Sequence, residues 1–290
     1  MSHDPAQLAA LDAVLRLGSF DAAARALHVT PSAVSQRIKA LEDRIGTALI
    51  VRGTPCNATP AGMRLARHAS DIALLDAALA RDLALPAAPA RLRLAVNADS
   101  LAVWFLPALA GQEMLFDIAL DDESHSADWL RRGEVSAAIT AHGRAVQGCD
   151  SHALGQMRYI ATCAPAFHAA HFSGGVTAER LRHAPMLQFN AKDTLQHDWL
   201  RRVTGSALAP PAHRLPSSQG FVEAARLGLG WGLNPEVLVS GAIARGELVP
   251  LLPDQPQEVA LFWQVNRLVA GALRPLTGAV LRTATARLRP

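Results

Sequence analysis

The sequence predicts an α/β fold: a small helical N-terminal unit with a β-hairpin, one long helix, and a larger module of alternating strands and helices. Three observations predict it. The first 46 residues carry three apolar stripes at helical spacing, separated by Gly18-Ser19 and His28-Val29 and closed by Gly46. Residues 60 to 84 carry one further stripe that no turn signal interrupts. Residues 91 to 139 read strand, helix, strand, helix, strand, the order of an open parallel sheet. With 290 residues and 50% hydrophobic side chains, the chain is long enough for two or three domains and too apolar for disorder.

The first helix is marked by Leu8, Leu11, Val14, Leu15 and Leu17. Ser19 is placed to cap the second, in which Phe20, Ala23, Ala24 and Leu27 leave room for a close neighbour. Thr30 caps the third helix, and Pro31 takes its first position, where a missing N–H costs nothing. Val34, Ile38, Leu41 and Ile45 give that helix a buried stripe. Residues 47 to 59 read as a short hairpin around Arg52-Gly53-Thr54-Pro55. Thr59-Pro60 repeats the cap-then-proline start. In the long helix that follows, Leu65, Ala69, Ile72, Leu75 and Leu79 recur every three or four residues. An isolated helix of this kind needs a partner, and a second copy of the chain is the expected one. Residues 86 to 90, Pro-Ala-Ala-Pro-Ala, form a hinge. Strands are expected at 91–97, 116–120 and 135–139, with helices around Trp104 to Leu109 and Ser126 to Arg132. Further α/β material fills 155 to 265, and a last apolar helix covers 270 to 288.

The third helix carries the sharpest chemistry. Opposite its buried stripe lie Ser32, Ser35, Gln36 and Lys39. Short hydroxyls and an amide near a helix N-terminus suit base edges in a DNA major groove, and Gln36 has the geometry to pair with an adenine. Ser32 and Ser35 suit a phosphate or a base. Arg37 and Lys39 suit phosphates or groove edges, contacts that position a protein without specifying sequence. The helix dipole at Thr30 and Pro31 favours a phosphate as well. Arg52, in the hairpin, reaches toward a flanking minor groove or the backbone. Glu42 and Asp43 are expected to face away from DNA or to pair with arginines. Double-stranded promoter DNA is thus the expected partner. The net charge of +3 permits this reading without arguing for it.

Other classes are poorly supported. Cys56, Cys149 and Cys163 are widely separated, with no disulfide framework or zinc knuckle. The eleven histidines are scattered, so no metal is expected. No Gly-x-Ser-x-Gly elbow, phosphate loop or dinucleotide fingerprint occurs, so neither an enzyme nor a bound cofactor is expected. The first residues do not read as a signal peptide and no apolar run is long enough to span a membrane. A cytoplasmic protein in a reducing compartment is expected.

Residues 23 to 42, Ala-Ala-Arg-Ala-Leu-His-Val-Thr-Pro-Ser-Ala-Val-Ser-Gln-Arg-Ile-Lys-Ala-Leu-Glu, resemble the helix-turn-helix of LysR-type transcriptional regulators. Gly46 to Arg52 and Thr59 to Gly62 fall where that family has its wing and the start of its linker helix. The resemblance implies a winged helix-turn-helix (1–58), a linker and dimerisation helix (59–85), the hinge (86–90) and a two-lobed effector domain like a periplasmic binding protein. Lobe I is expected at 91–163 and 266–290, and lobe II at 164–265. A homodimer, a tetramer and contact with RNA polymerase are implied as well. A narrower resemblance, carried by Asn97 to Leu101, Trp104, Leu106 to Leu109, Leu120-Asp121-Asp122, Leu130 to Val135, Gly174 to Thr177 and Phe221 to Gly228, is to the ArgP/LysG branch. It implies lysine or arginine as effector and an amino acid export gene as target. The chain departs from that branch at Phe189 to Asp193, where members carry more aspartates, and at Ser218-Gln219, where they carry Ser-Glu.

In open α/β domains ligands sit beyond the carboxyl ends of the strands. That rule selects Asp99 and Ser100 after the first strand, Asp121, Asp122 and Glu123 after the second, and Thr140 after the third. Phe189, Asn190, Asp193, Ser217 and Ser218 would approach from the other lobe. Carboxylates suit the amines of a basic amino acid. Ser100 suits its carboxylate. Trp104 and Trp231 read as core. Two rivals stand beside this reading. One is a regulator with another signal: an aromatic acid, another amino acid, or a redox cue at Cys149 and Cys163. The other is a solute-binding or enzymatic α/β protein with a vestigial N-terminal domain.

Overall fold

A computed structural model describes residues 4–121 and 126–290; the Asp121 backbone is described but its side chain is not. Helix α1 (Pro5–Leu17) starts on the Asp4 cap and stops at Gly18, whose φ of 69° suits glycine. Ser19 caps α2 (Phe20–Ala26), and Thr30 caps α3 (Pro31–Ile45), which ends on left-handed Gly46. The predicted hairpin contracts to two-residue strands, β1 (Ile50–Val51) and β2 (Asn57–Ala58). Leu11, Val14, Ala23, Ala24, Val34, Ile38, Leu41 and Leu49 close one small core.

Helix α4 (Pro60–Asp82) leaves that unit and ends two residues before its predicted end. It serves two cores. Leu65 packs on the N-terminal core, while Leu74 is buried in the core of the larger module. Position 62 must be glycine, because a Cβ there would lie 1.9 Å from the Leu49 carbonyl oxygen.

The larger module begins with β3 (Ala90–Asn97), a helical segment from 98 to 109 that includes a π turn at Leu101–Phe105, and β4 (Met114–Asp121). Next come α7 (Ser126–Arg132; α5 is Ala98–Ser100 and α6 Leu106–Leu109), β5 (Ala137–Thr140) and the long β6 (Cys149–Cys163). Helices α8 (Pro165–Phe172), α9 (Ala178–His183), α10 (Leu195–Thr204), α11 (Ser218–Arg226) and α12 (Glu236–Ala244) alternate with β7 (Met186–Gln188), β8 (Ala212–Arg214), β9 (Gly232–Pro235) and β10 (Val249–Pro250). Strand β11 (Gln257–Asn266) and helix α13 (Arg274–Arg287) close the chain.

The sheet order is β10-β6-β11-β5-β3-β4, with β9 also paired to β6. The predicted parallel order holds for β4, β3 and β5. Beyond β5 the pairings are antiparallel. Strands β6 and β11 serve both halves: Ala137 to Thr140 pair with Phe262 to Val265, whereas Tyr159 to Thr162 pair with β9. The lobe boundaries drawn at 163/164 and 265/266 fall at the strand ends. The pairing partners instead change inside the strands, near the register break between Leu261 and Phe262. At that break Leu261 pairs with Gly155, whose φ is 115°; an isolated glycine inside a strand is the sequence mark of such an irregularity. Among the described residues no helix is long and apolar enough to cross a membrane.

Candidate DNA-binding surface and sensor crevice

The third helix is oriented by three devices. Its cap, Thr30 Oγ1, accepts from the Ala33 N–H at 3.1 Å. Its stripe, Val34, Ile38 and Leu41, is at most 1% exposed. Its far end is tied to the wing by Glu42, whose Oε1 accepts from the Leu49 N–H at 2.7 Å and the Ile50 N–H at 3.4 Å. The sequence reading turned Glu42 outward or toward an arginine; the open end of the two-residue hairpin supplies better donors. Thr30, Pro31, Ser32, Gln36 and Lys39 are exposed, and Ser35 and Arg37 half-buried. Arg52 is exposed, with its guanidinium carbon 5.1 Å from the centroid of the Phe20 ring. The polar side of α3 therefore faces solvent and the oily side faces the same domain.

On α4 the predicted stripe divides. Leu65 is engaged within the chain, Ala69 and Ile72 are half-buried, and Leu75 and Leu79 are exposed, joined by Leu83. Leu74, absent from the predicted stripe, is the residue that α4 buries in the larger module.

A crevice of about 280 Å³ opens beyond the ends of β3 and β5. From one side it is lined by Asn97, Asp99, Ala141 and His142; from the other by Phe189, Asp193, Gln196, Asp198, Ser218 and Asn234. Asp99, Phe189, Asp193 and Ser218 were all selected from the sequence. Ser100, Thr140, Asn190 and Ser217 do not line it. The Ser100 hydroxyl is fully buried and unpaired. Thr140 is buried, its hydroxyl accepting from Gln264 Nε2 at 3.0 Å and donating to the His142 carbonyl at 3.2 Å. Asn190 Oδ1 closes a turn by accepting from the Lys192 and Asp193 N–H groups, and Ser217 caps α11. Asp122 and Glu123 lie outside the described residues, as does the Asp121 side chain. Hydrogen-bond partners, unreadable from spacing, hold Thr140, Asn190 and Ser217 away from the crevice, whereas Ser100 is simply packed inward.

The two central carboxylates differ. Asp193 is an organiser: its oxygens accept from the Phe189 N–H at 2.8 Å and the Leu195 N–H at 3.0 Å. With its amide turned to donate, Gln196 adds contacts at 3.2 and 3.0 Å. Asp99 accepts from the hydroxyl of Tyr159, the single tyrosine of the chain, at 3.0 Å. The Ser218 hydroxyl lies near enough to favour the Asp99 charge, yet it has no partner of ordinary hydrogen-bond geometry. Burial pushes the Asp99 carboxyl above its ordinary range. The Ser218 and Tyr159 hydroxyls pull it back, and the Asp193 charge adds to the rise. Tyr159, Gln196, Asp198 and Asn234 were missed in the sequence, because they come from elements with no chemical motif.

Two further residues bear on the redox reading. Burial pushes the Cys163 thiol up to about 12 and raises Cys149 too. Reactive cysteines need the opposite shift. Trp104 and Trp231 are core residues, 1% and 0% exposed.

Two family profiles cover this architecture. Residues 5–63 match the bacterial regulatory helix-turn-helix of the lysR family, and residues 87–285 match the LysR substrate binding domain. The chain belongs to the LysR family. The HTH-type transcriptional regulator LysG of Mycobacterium tuberculosis is 43% identical over 97% of this chain and 94% of that protein. The crystal structure of ArgP from Mycobacterium tuberculosis superposes with a TM-score of 0.84 at 42% identity, covering 100% of this chain and 99% of that one. Full-length LysG from Corynebacterium glutamicum, with bound effector Arg, gives 0.69 at 37% identity, covering 99% and 100%. This LysR-type chain is therefore a ligand-responsive, DNA-binding transcriptional regulator of the ArgP/LysG branch, not an enzyme. The helix-turn-helix is its DNA-binding unit and the two-lobed α/β module its effector domain.

Proposed function

We propose that this regulator senses lysine or arginine in the crevice around Asp99 and controls an export gene for a basic amino acid. The single observation that carries the reading is the carboxylate set. Asp99, Asp193 and Asp198 line one crevice of about 280 Å³, near the lower end of the ordinary small-molecule range of roughly 300–1,000 Å³. Asp99 is the least committed of the three, since Asp193 holds its own turn and Asp198 accepts from the Thr194 hydroxyl and Arg201. A carboxylate held by one hydroxyl, that of Tyr159, in a half-enclosed site is suited to an ammonium or guanidinium. The arginine named as effector of the Corynebacterium glutamicum LysG structure supports the same class.

On the DNA side, Ser32, Ser35 and Gln36 read base edges, while Thr30, Arg37, Lys39 and Arg52 meet phosphates and Pro31 starts the helix whose dipole favours them. The outer face of α4, with exposed Leu75 and Leu79 and half-buried Ala69 and Ile72, joins two copies into a homodimer, and dimers pair into a tetramer that contacts RNA polymerase. Leu65, already packed on the N-terminal core, supports that face from behind. The domain division follows the sequence reading, with the lobes exchanging inside β6 and β11.

Calorimetric titration of the full chain with L-lysine, L-arginine and the uncharged L-citrulline tests the effector. Binding of a cationic amino acid that citrulline does not match is the expected result. Equal binding of citrulline, or no binding of either cation, sinks the assignment.

A further inference from the structure

Asp71 lies on α4, a helix with much of its surface in solvent, yet it is only 7% exposed. Arg67, one turn earlier, approaches its Oδ2 at 3.6 Å. Ser136, at the head of β5 and 65 residues away, donates to its Oδ1 at 3.3 Å. The Arg67 guanidinium lies against Gly133, where a Cβ would come within 2.1 Å of Nη1; the φ of 71° there suits glycine on its own account. Leu74 on the same helix is buried in the effector-domain core. Burial pushes the Asp71 carboxyl up, and Arg67, Ser136 and His68 offset part of that cost. An apolar residue would hold this joint more cheaply, so a buried, partnered carboxylate fixes a particular seating of the helix rather than adding stability.

The other end of β5 is the crevice. Ser136 is followed by Ala137 to Thr140, then by Ala141 and His142, both in the crevice wall. Ser136 and Ala141 flank the four strand residues of β5 and, at roughly 3.3 Å per residue, lie at most about 17 Å apart. Fully buried Gln264 fastens the crevice end: its Nε2 donates to Thr140 Oγ1 and to the His142 carbonyl, both at 3.0 Å, and its Oε1 accepts from the Val146 N–H at 2.8 Å. The Ser136 end is fastened too, its N–H donating to the Arg93 carbonyl and its carbonyl accepting from the Asn266 N–H. A short strand fixed in a close-packed sheet moves as a unit.

We infer that Asp71 is a positioning residue that couples the sensor crevice to the linker helix, receiving the displacement of the crevice wall through β5 and Ser136. Helix α4 then carries it to the recognition helix through the Gly62–Leu49 contact and Glu42. The inference rests on the reading that the effector occupies this crevice. A ligand shifts DNA affinity only through unequal affinity for two seatings of α4, and Asp71 distinguishes those seatings.

The test uses the full chain, L-arginine and L-lysine as effector probes, and duplexes enriched from a random-sequence library on the wild-type protein. In wild type the better-bound amino acid changes DNA affinity by roughly fivefold or more, the usual lower range of coupling. In Asp71→Asn and Ser136→Ala that ratio falls to about one, while amino acid affinity and the melting transition stay near wild type. A variant that keeps the wild-type ratio overturns the proposal. Hydrogen exchange without any amino acid supplies a readout that does not depend on the crevice ligand. Asp71→Asn is expected to loosen β5 and residues 141–146 as well as α4. A change confined to α4 overturns the coupling whatever the crevice binds, whereas absence of amino acid binding with the spreading change intact faults the effector reading alone.

Discussion

The proposed recognition helix α3 and the proposed sensor crevice solve opposite problems. All of the helix's chemistry lies within residues 30 to 52, on a local frame whose caps, turn and stripe are contiguous in the chain. The crevice takes Asp99 from the end of β3, His142 from beyond β5, Asp193 from the turn before α10 and Ser218 from the start of α11. A DNA reader must present a protruding, preformed face, which local structure provides. A sensor must surround a small molecule and respond to it, so its groups come from both lobes.

The two regions also have separate cores, and damaging one is the strongest way to separate them. Ile38 is 1% exposed in the N-terminal core. Ile38→Ala is expected to cost about 2–5 kcal/mol, enough to unfold that small unit and abolish DNA binding. Amino acid titration of the same variant is expected to match wild type. Loss of both together would break the comparison.

The next effect is at the crevice. Asp99→Asn removes a charge-assisted contact of about 1.5–3 kcal/mol, so effector affinity is expected to fall roughly ten- to hundredfold by calorimetry. DNA affinity without effector should not change. Gln36→Ala is expected to cost about 1–3 kcal/mol on the preferred duplex and little on a mismatched one, with effector affinity untouched. Lys39→Ala should instead weaken all duplexes alike and lower the salt slope by about one. An equal loss at Gln36 across all sequences would remove it from base readout.

The mildest effect is that of pH. Burial raises the Asp99 carboxyl above its ordinary range, so on acidification it takes up a proton before exposed carboxylates do. Cation affinity is then expected to decline between neutral pH and the ordinary carboxylate range, and Asp99→Asn should show no such decline. Stability runs the other way. Between the unfolded and the raised folded values the native state holds more protons, so falling pH relieves the burial cost at Asp99 and Asp71. Thermal melts across that window check the sign.

The N-terminal elements were legible because local residues announce their ends: Ser19, Thr30 and Thr59 cap, and Gly18 and Gly46 stop. The exposed polar face of α3 was legible for the same reason. The crevice was legible only in part. Asp99, Phe189, Asp193 and Ser218 follow strand ends and line it, but Ser100 and Thr140 follow strand ends too and turn inward. Strand-end position selects a neighbourhood, whereas tertiary packing around Ser100 and the distant partner Gln264 at Thr140 select the direction of the side chain.

The sequence by itself determined the N-terminal helices, the polar and apolar sides of α3, and the first three strands of the larger module, since these depend on side-chain periodicity and on caps a few residues away. Only the tertiary structure decided that Glu42 holds the wing, that Leu74 rather than Leu75 enters the effector-domain core, that Asp193 is occupied while Asp99 is open, and that Asp71 meets Ser136. Those outcomes depend on pairings between residues up to 65 positions apart. Where a buried polar group finds its partner is fixed by packing of the whole chain, which no local pattern encodes.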